Sequence, residues 1–211
     1  QRQMCIRDRE KTPKSGRFLL VCNHQNESDP GVLLHCFRRS QLAFISKKEN
    51  ENMFAVGKFM HKTMCQMINR ENDREALKTI LKCIQIIKED KASVAVFPEG
   101  GILSEDGKLH HFRPGVFKIA QKAQVPIVVC TLRGTQNILP NVKKLRRTLI
   151  RLNLLEVIPA GELTGITTVD DFAMADNTGN PWEFCWYDVA AGVYNLFANH
   201  DYSSKFGSDT I

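Results

Sequence analysis

The 211-residue sequence has no apolar run approaching the ~20 residues of a membrane-spanning helix, so no stretch of it reads as one. The stretch from Gln1 to Lys14 is polar and basic, lacks an apolar core, and so is not expected to be a secretory signal. Its seven cysteines (5, 22, 36, 65, 83, 130 and 185) include no CxxC pair. That spacing excludes a zinc ribbon and argues against a disulfide framework, so buried, reduced cysteines are expected. There is no internal repeat and no low-complexity linker. Size and an apolar content of 43% fit one domain with a real core.

Charge is unevenly spread. Residues 1–169 hold 28 Lys and Arg against 16 Asp and Glu, whereas residues 170–211 hold only Lys205 against seven acids. Both tryptophans and all three tyrosines also lie in those last 42 residues. The break suggests a division into 1–16, a truncated or non-native segment; 17–169, the functional domain; and 170–211, an acidic aromatic tail. Within the tail, Trp182, Trp186, Val189, Val193 and Phe197 have helical spacing. The tail is expected to pack loosely and to add nothing to the site. The basic body invites an anionic partner: nucleic acid, a phosphorylated substrate or an anionic membrane surface. Its densest cluster is Lys143, Lys144, Arg146, Arg147 and Arg151, beside Leu145, Leu149, Ile150 and Leu152. This cluster reads first as a solvated face next to a core strand. No aromatic residue interleaves with it, so nucleic acid is a poor fit.

Apolar runs predict strands near 18–22, 42–45, 93–97, 126–132 and 149–158. Asp29-Pro30 reads as a helix N-cap followed by proline at the first helical position. The segment 53–68, rich in methionine, reads as a helix or broken helix. From Asp73 to Glu89, the apolar residues Leu77, Ile80, Leu81, Ile84 and Ile87 have the spacing of an amphipathic helix. Pro114 opens a further short helix. Strand, helix and strand in close succession make a βαβ unit, so the fold class is α/β, with a mixed, partly parallel sheet flanked by helices.

Two loops hold candidate chemistry. His24 and Asp29 lie where the first strand crosses into a helix, and ligands of α/β sheets gather at the carboxyl ends of strands. A carboxylate beside a histidine fixes its tautomer and stabilises the imidazolium, as a general base requires. Phe97-Pro98-Glu99-Gly100 places a carboxylate and a permissive glycine at a strand end, although a simple turn explains it about as well. His110 and His111 are adjacent and have no third ligand in zinc spacing, and no metal is expected.

Taken together, Asn23-His24-x4-Asp29, Lys47-Lys48-Glu49 with Gly57, Asn69-Arg70, Phe97-Pro98-Glu99-Gly100 and Val125-Pro126-Ile127-Val128 resemble the glycerolipid acyltransferase family. More narrowly, the chain looks like the bacterial 1-acylglycerol-3-phosphate acyltransferases, with the resemblance covering roughly Arg17 to Thr168. The resemblance implies a glycerol-3-phosphate acyltransferase-like fold, with His24 as general base and Asp29 as its orienting partner. It implies that Glu99 and Gly100 hold the acyl acceptor and that Arg70 binds its phosphate, with Lys47 a weaker candidate for the same anion. The reaction implied moves an acyl group from acyl-CoA or acyl-carrier protein to lysophosphatidic acid, giving phosphatidic acid for phospholipid synthesis. The thioester is a co-substrate; no cofactor is implied. The expected location is the cytoplasmic face of a bacterial membrane.

Two features depart from the family pattern. Gly101, Ile102 and Leu103 follow Pro-Glu-Gly where Thr-Arg-Ser is common, so Arg113 is expected to carry more of the phosphate contact. Phe54 stands where the second block usually has proline. At the ends, the family usually has a membrane-seeking element before the first strand, and Gln1 to Arg9 resembles adapter read-through. The alternatives are glycerol-3-phosphate or another lysophospholipid as acceptor, or a non-enzymatic module that grips anionic lipid.

Overall fold

A computed structural model describes residues 4–7, 12–52, 54–69, 72–102 and 114–163. The strands are β1 (Met4–Arg7), β2 (Leu19–Cys22), β3 (Leu42–Lys47), β4 (Gln66–Ile68), β5 (Ser93–Val96), β6 (Ile127–Arg133) and β7 (Ile150–Ile158). The helices are α1 (Asp29–Cys36), α2 (Phe54–Lys62), α3 (Asp73–Lys88), α4 (Lys118–Ala123) and α5 (Ile138–Lys143). The expected mixed α/β sheet is present: seven strands in the order β1-β7-β6-β2-β5-β3-β4. All neighbours are parallel except β6 and β7.

The two-residue period of the strands divides the core. Leu19, Val21, Val94, Val96, Ile127 and Val129 face one layer with Cys83, Ile84 and Ile87 of α3 and Ile119 of α4. Leu20, Cys22, Ala95, Val128 and Cys130 face the other, with Val32, Leu33 and Cys36 of α1. The central strands β2, β5 and β6 are therefore buried on both faces, which is why they read as continuous apolar runs. The cysteines at 22, 36, 65, 83 and 130 are all buried, and none of them forms a disulfide among the described residues.

Several details differ from the sequence reading. The α1 N-cap is Ser28, not Asp29, because the Asp29 carboxylate is engaged by the preceding loop. The buried side of α3 runs through Thr79, Cys83, Ile84 and Ile87, leaving Leu77 and Leu81 exposed. On that side the Thr79 hydroxyl donates to the Met67 carbonyl of β4 at 2.8 Å. Strand β4 itself was not expected; it is three residues long and follows Met64 at φ 57°. Residues 4–7, left outside the expected fold, pair in parallel with Ile150–Asn153. The acidic aromatic tail, 170–211, lies outside the described residues. Among the described residues no helix is long and apolar enough to cross a membrane.

Candidate active site

Strands β2, β3, β4, β5 and β6 point the same way, so their carboxyl ends share one end of the sheet. The chain leaves β2 there as Asn23-His24. Asn23 is fully buried and bridges to β6: its Nδ2 donates to the Leu132 carbonyl at 3.0 Å, and its Oδ1 accepts from the Leu132 N–H at 2.8 Å. The loop then folds back on the first residue of α1. Asp29 Oδ2 lies 2.9 Å from His24 Nδ1 and accepts from the backbone N–H groups of Gln25 (2.6 Å) and Asn26 (2.8 Å). Asp29 is wholly buried, whereas the His24 side chain keeps 17% of its surface. Held from Nδ1, the ring has Nε2 as its second nitrogen, the acceptor when Nδ1 carries the proton.

The second loop completes the surround. The His24 ring stacks on Phe97, with centroids 4.1 Å apart and planes 14° from parallel. Phe97 in turn lies 6.1 Å from Phe44 of β3. The Gly100 N–H closes a turn onto the Phe97 carbonyl at 3.0 Å, and Gly100 sits at φ 71°, where a side chain would be strained. Between them Glu99 is buried, and neither carboxyl oxygen has a protein donor at hydrogen-bond geometry. Burial pushes its carboxyl up to about 8; the nearby His24 backbone N–H opposes the rise and the Asp29 charge adds to it.

The fold thus joins His24, Asp29, Glu99 and Gly100 in one place. Lys47, at the carboxyl end of β3, is exposed at the same end of the sheet. Arg70 and Arg113 lie outside the described residues. A cavity of about 620 Å³, lined by Arg17, Phe37, Ser40, Asp90 and Leu152 among others, is at the opposite end, before β2, β3 and β5. No group of His, Cys, Asp and Glu among the described residues is arranged to hold a metal.

Sequence reasoning quoted Asn23 and Phe97 only as letters of a motif. Their geometry gives them work: Asn23 ties the histidine loop to β6, and Phe97 supports the imidazole plane. Adjacency in sequence to His24 and Glu99 was the available signal.

The model of the Acyltransferase family matches residues 3–133. A 1-acyl-sn-glycerol-3-phosphate acyltransferase of Chlamydomonas reinhardtii is 36% identical over 143 residues, 67% of this chain and 42% of that protein. A protein of Mycoplasma pneumoniae named "Probable 1-acyl-sn-glycerol-3-phosphate acyltransferase" is 33% identical over 143 residues, 65% of this chain and 52% of that one. The chain spans about half the length of the curated relatives it matches. Among solved structures, the 1-acyl-sn-glycerophosphate (LPA) acyltransferase PlsC from Thermotoga maritima shares the fold. Its TM-score is 0.62 at 24% identity, over 93% of this chain and 73% of that one.

Proposed function

The chain belongs to the acyltransferase family, and on that premise we propose that it transfers a fatty acyl group from an acyl thioester to the free hydroxyl of lysophosphatidic acid. The observation that carries this reading is the His24–Asp29 pair, 2.9 Å apart, beside the buried Glu99. The names of the relatives support the acceptor.

In this mechanism Asp29 accepts from His24 Nδ1–H and leaves Nε2 unprotonated. Nε2 takes the proton of the acceptor hydroxyl as that oxygen attacks the thioester carbonyl carbon. The tetrahedral intermediate collapses, the carbon–sulfur bond breaks, and the imidazolium returns its proton to the leaving thiolate. The products are phosphatidic acid and free thiol. Asp29 stabilises the imidazolium while it exists. Glu99 and Gly100 hold the acceptor's glycerol portion. Lys47, Arg70 and Arg113 take its phosphate, for which guanidinium groups supply bidentate donors. The donor is acyl-CoA or acyl-carrier protein, and the work is done at an anionic membrane surface on the cytoplasmic side.

The test is thioester turnover with lysophosphatidic acid and glycerol-3-phosphate side by side, in wild type and His24→Ala. The reading expects lysophosphatidic acid to be preferred and the variant to lose turnover. Equal or better use of glycerol-3-phosphate would reassign the acceptor. Lipid binding without turnover in the wild type would make the chain a binding module.

A further inference from the structure

From Gly107 to Leu155 the sequence contains ten Lys and Arg and no Asp or Glu. The part of this stretch between β6 and β7 combines charge with exposed apolar surface. Eight large hydrophobic residues stand exposed among those described, and four of them, Leu139, Val142, Leu145 and Leu149, fall within eleven positions. Leu145 is 96% exposed. It also sits at φ 53°, a left-handed conformation that asparagine or glycine adopts more readily. A leucine there gains no packing and bears a backbone cost. Lys143, Lys144, Arg146 and Arg147 are interleaved with these residues, all exposed, and enter none of the ion pairs among the described residues.

The segment is a built platform. The Arg146 N–H donates to the Asn141 carbonyl at 2.8 Å, and Asn141 Nδ2 reaches the Arg147 carbonyl (3.3 Å) and Thr148 Oγ1 (3.2 Å). The two ends are pinched where Gly134 meets Leu149: a Cβ on Gly134 would lie 2.3 Å from the Leu149 carbonyl oxygen. Because β6 runs parallel to β2 and β7 returns antiparallel, the platform hangs from the same end of the sheet as His24. The Asn23–Leu132 hydrogen bonds tie the residue before His24 to the carboxyl end of β6, from which the chain runs on into the platform.

We propose that residues 139–149 form the surface by which the protein docks on an anionic lipid bilayer, beside its active site. The four cations meet headgroup phosphates, and Leu139, Val142, Leu145 and Leu149 enter the interfacial layer between them. This deepens the proposed function, since it rests on an acceptor that is itself a bilayer lipid. Charge complementarity selects anionic headgroups. The exposed aliphatic residues, with no aromatic ring anywhere from Thr131 to Leu155, favour lipid over nucleic acid.

The experiment is co-sedimentation of the whole chain with phosphatidylcholine vesicles, with and without phosphatidylglycerol. Acyl transfer to a monomeric short-chain lysophosphatidic acid is measured in parallel. Two variants are compared with wild type: K143Q/K144Q/R146Q/R147Q, and Leu145→Asn, which suits the backbone and removes the apolar tip. At about 5-fold per cation, the first should bind anionic vesicles ~100-fold or more weakly. The second should lose ~10-fold, the scale of one withdrawn leucine. Both should turn over the monomeric acceptor at the wild-type rate. Binding of anionic vesicles by both variants at the wild-type level, or equal wild-type binding to neutral vesicles, would overturn the proposal. So would loss of monomeric turnover with vesicle binding intact, or tighter wild-type binding to RNA or an acidic carrier protein than to anionic vesicles. If the wild type binds vesicles through this surface but transfers no acyl group, the docking surface stands and the proposed function falls.

Discussion

Asp29 and Glu99 are two buried carboxylates at the same end of one sheet, and the protein surrounds them differently. Asp29 Oδ2 is met by the imidazole and two backbone N–H groups. Glu99 receives no donor at hydrogen-bond geometry, and burial drives its carboxyl up to about 8. Donors aimed at one oxygen fix Asp29 in place beside the histidine, whereas burial, the dominant influence on Glu99, favours a carboxyl that keeps a proton and can give a hydrogen bond. Two residues of the same chemical class are thereby prepared for different tasks.

The largest effect is expected from removing the base that Asp29 orients. His24→Ala should lower thioester turnover by about 10²–10⁴, the usual contribution of a positioned general base. Asp29→Asn should retain much of the packing yet lose turnover on a similar scale, because an amide cannot stabilise the imidazolium. A variant that retained wild-type kcat/KM would remove the distinction drawn between the two carboxylates.

The next effect belongs to Glu99 and is read in stability. Its folded carboxyl titrates at about 8 against an ordinary value of 4.5, so between these values the folded protein retains a proton that the unfolded chain has lost. Stability should be highest below pH ~4.5 with respect to this group and fall as pH rises toward ~8, by about 5 kcal/mol at most. Glu99→Gln, which cannot ionise, should flatten that fall and be more stable than wild type at pH ~8. Denaturant midpoints at closely spaced pH values check this. If both proteins showed the same slope, Glu99 would not be the buried titrating group.

How much of this was legible in the sequence depended on distance along the chain. The His24–Asp29 pair was readable because only four loop residues separate the partners, and the start of α1 brings them together with little help from the rest. The central strands were readable because burial on both faces leaves continuous apolar runs. Strand β4 was not, since three half-buried residues gain their identity only from pairing with Ile45–Lys47. The rotation of α3 was also hidden: Leu77 and Leu81 match the apolar period, but the side that turns inward is the one carrying Thr79, bonded to Met67, and Cys83, packed in the core. The state of Glu99 depends on burial by distant segments, which spacing does not encode.

Asn23 supplies a smaller effect that sharpens the comparison from the Asp29 side. Its side chain satisfies both the N–H and the carbonyl of Leu132 across the gap between β2 and β6. Asn23→Ala would leave those buried groups unpaired, at a cost of about 1–3 kcal/mol. Turnover per folded molecule should fall less than in His24→Ala, because Asp29 still holds the ring. Thermal unfolding together with kcat/KM separates the two contributions. Undiminished stability would show that the loop holds its place without the bridge.

Phe97 offers the smallest and most discriminating change, because it touches the histidine that Asp29 holds and opens the turn that carries Glu99. Its ring supports the His24 plane at 4.1 Å on one side and leads directly into the Glu99 turn on the other. Phe97→Leu keeps an apolar side chain of similar reach but gives up the ring-on-ring contact, worth about 0.5–1.5 kcal/mol. If that contact serves to hold the imidazole, turnover should drop by ~2- to 10-fold with the unfolding midpoint little changed. The slope of stability against pH should stay as in wild type, since Glu99 remains buried. A variant that lost the slope but kept its turnover would reverse this assignment: Phe97 would then act by keeping Glu99 dry, and Asp29 alone would suffice to set the plane of His24.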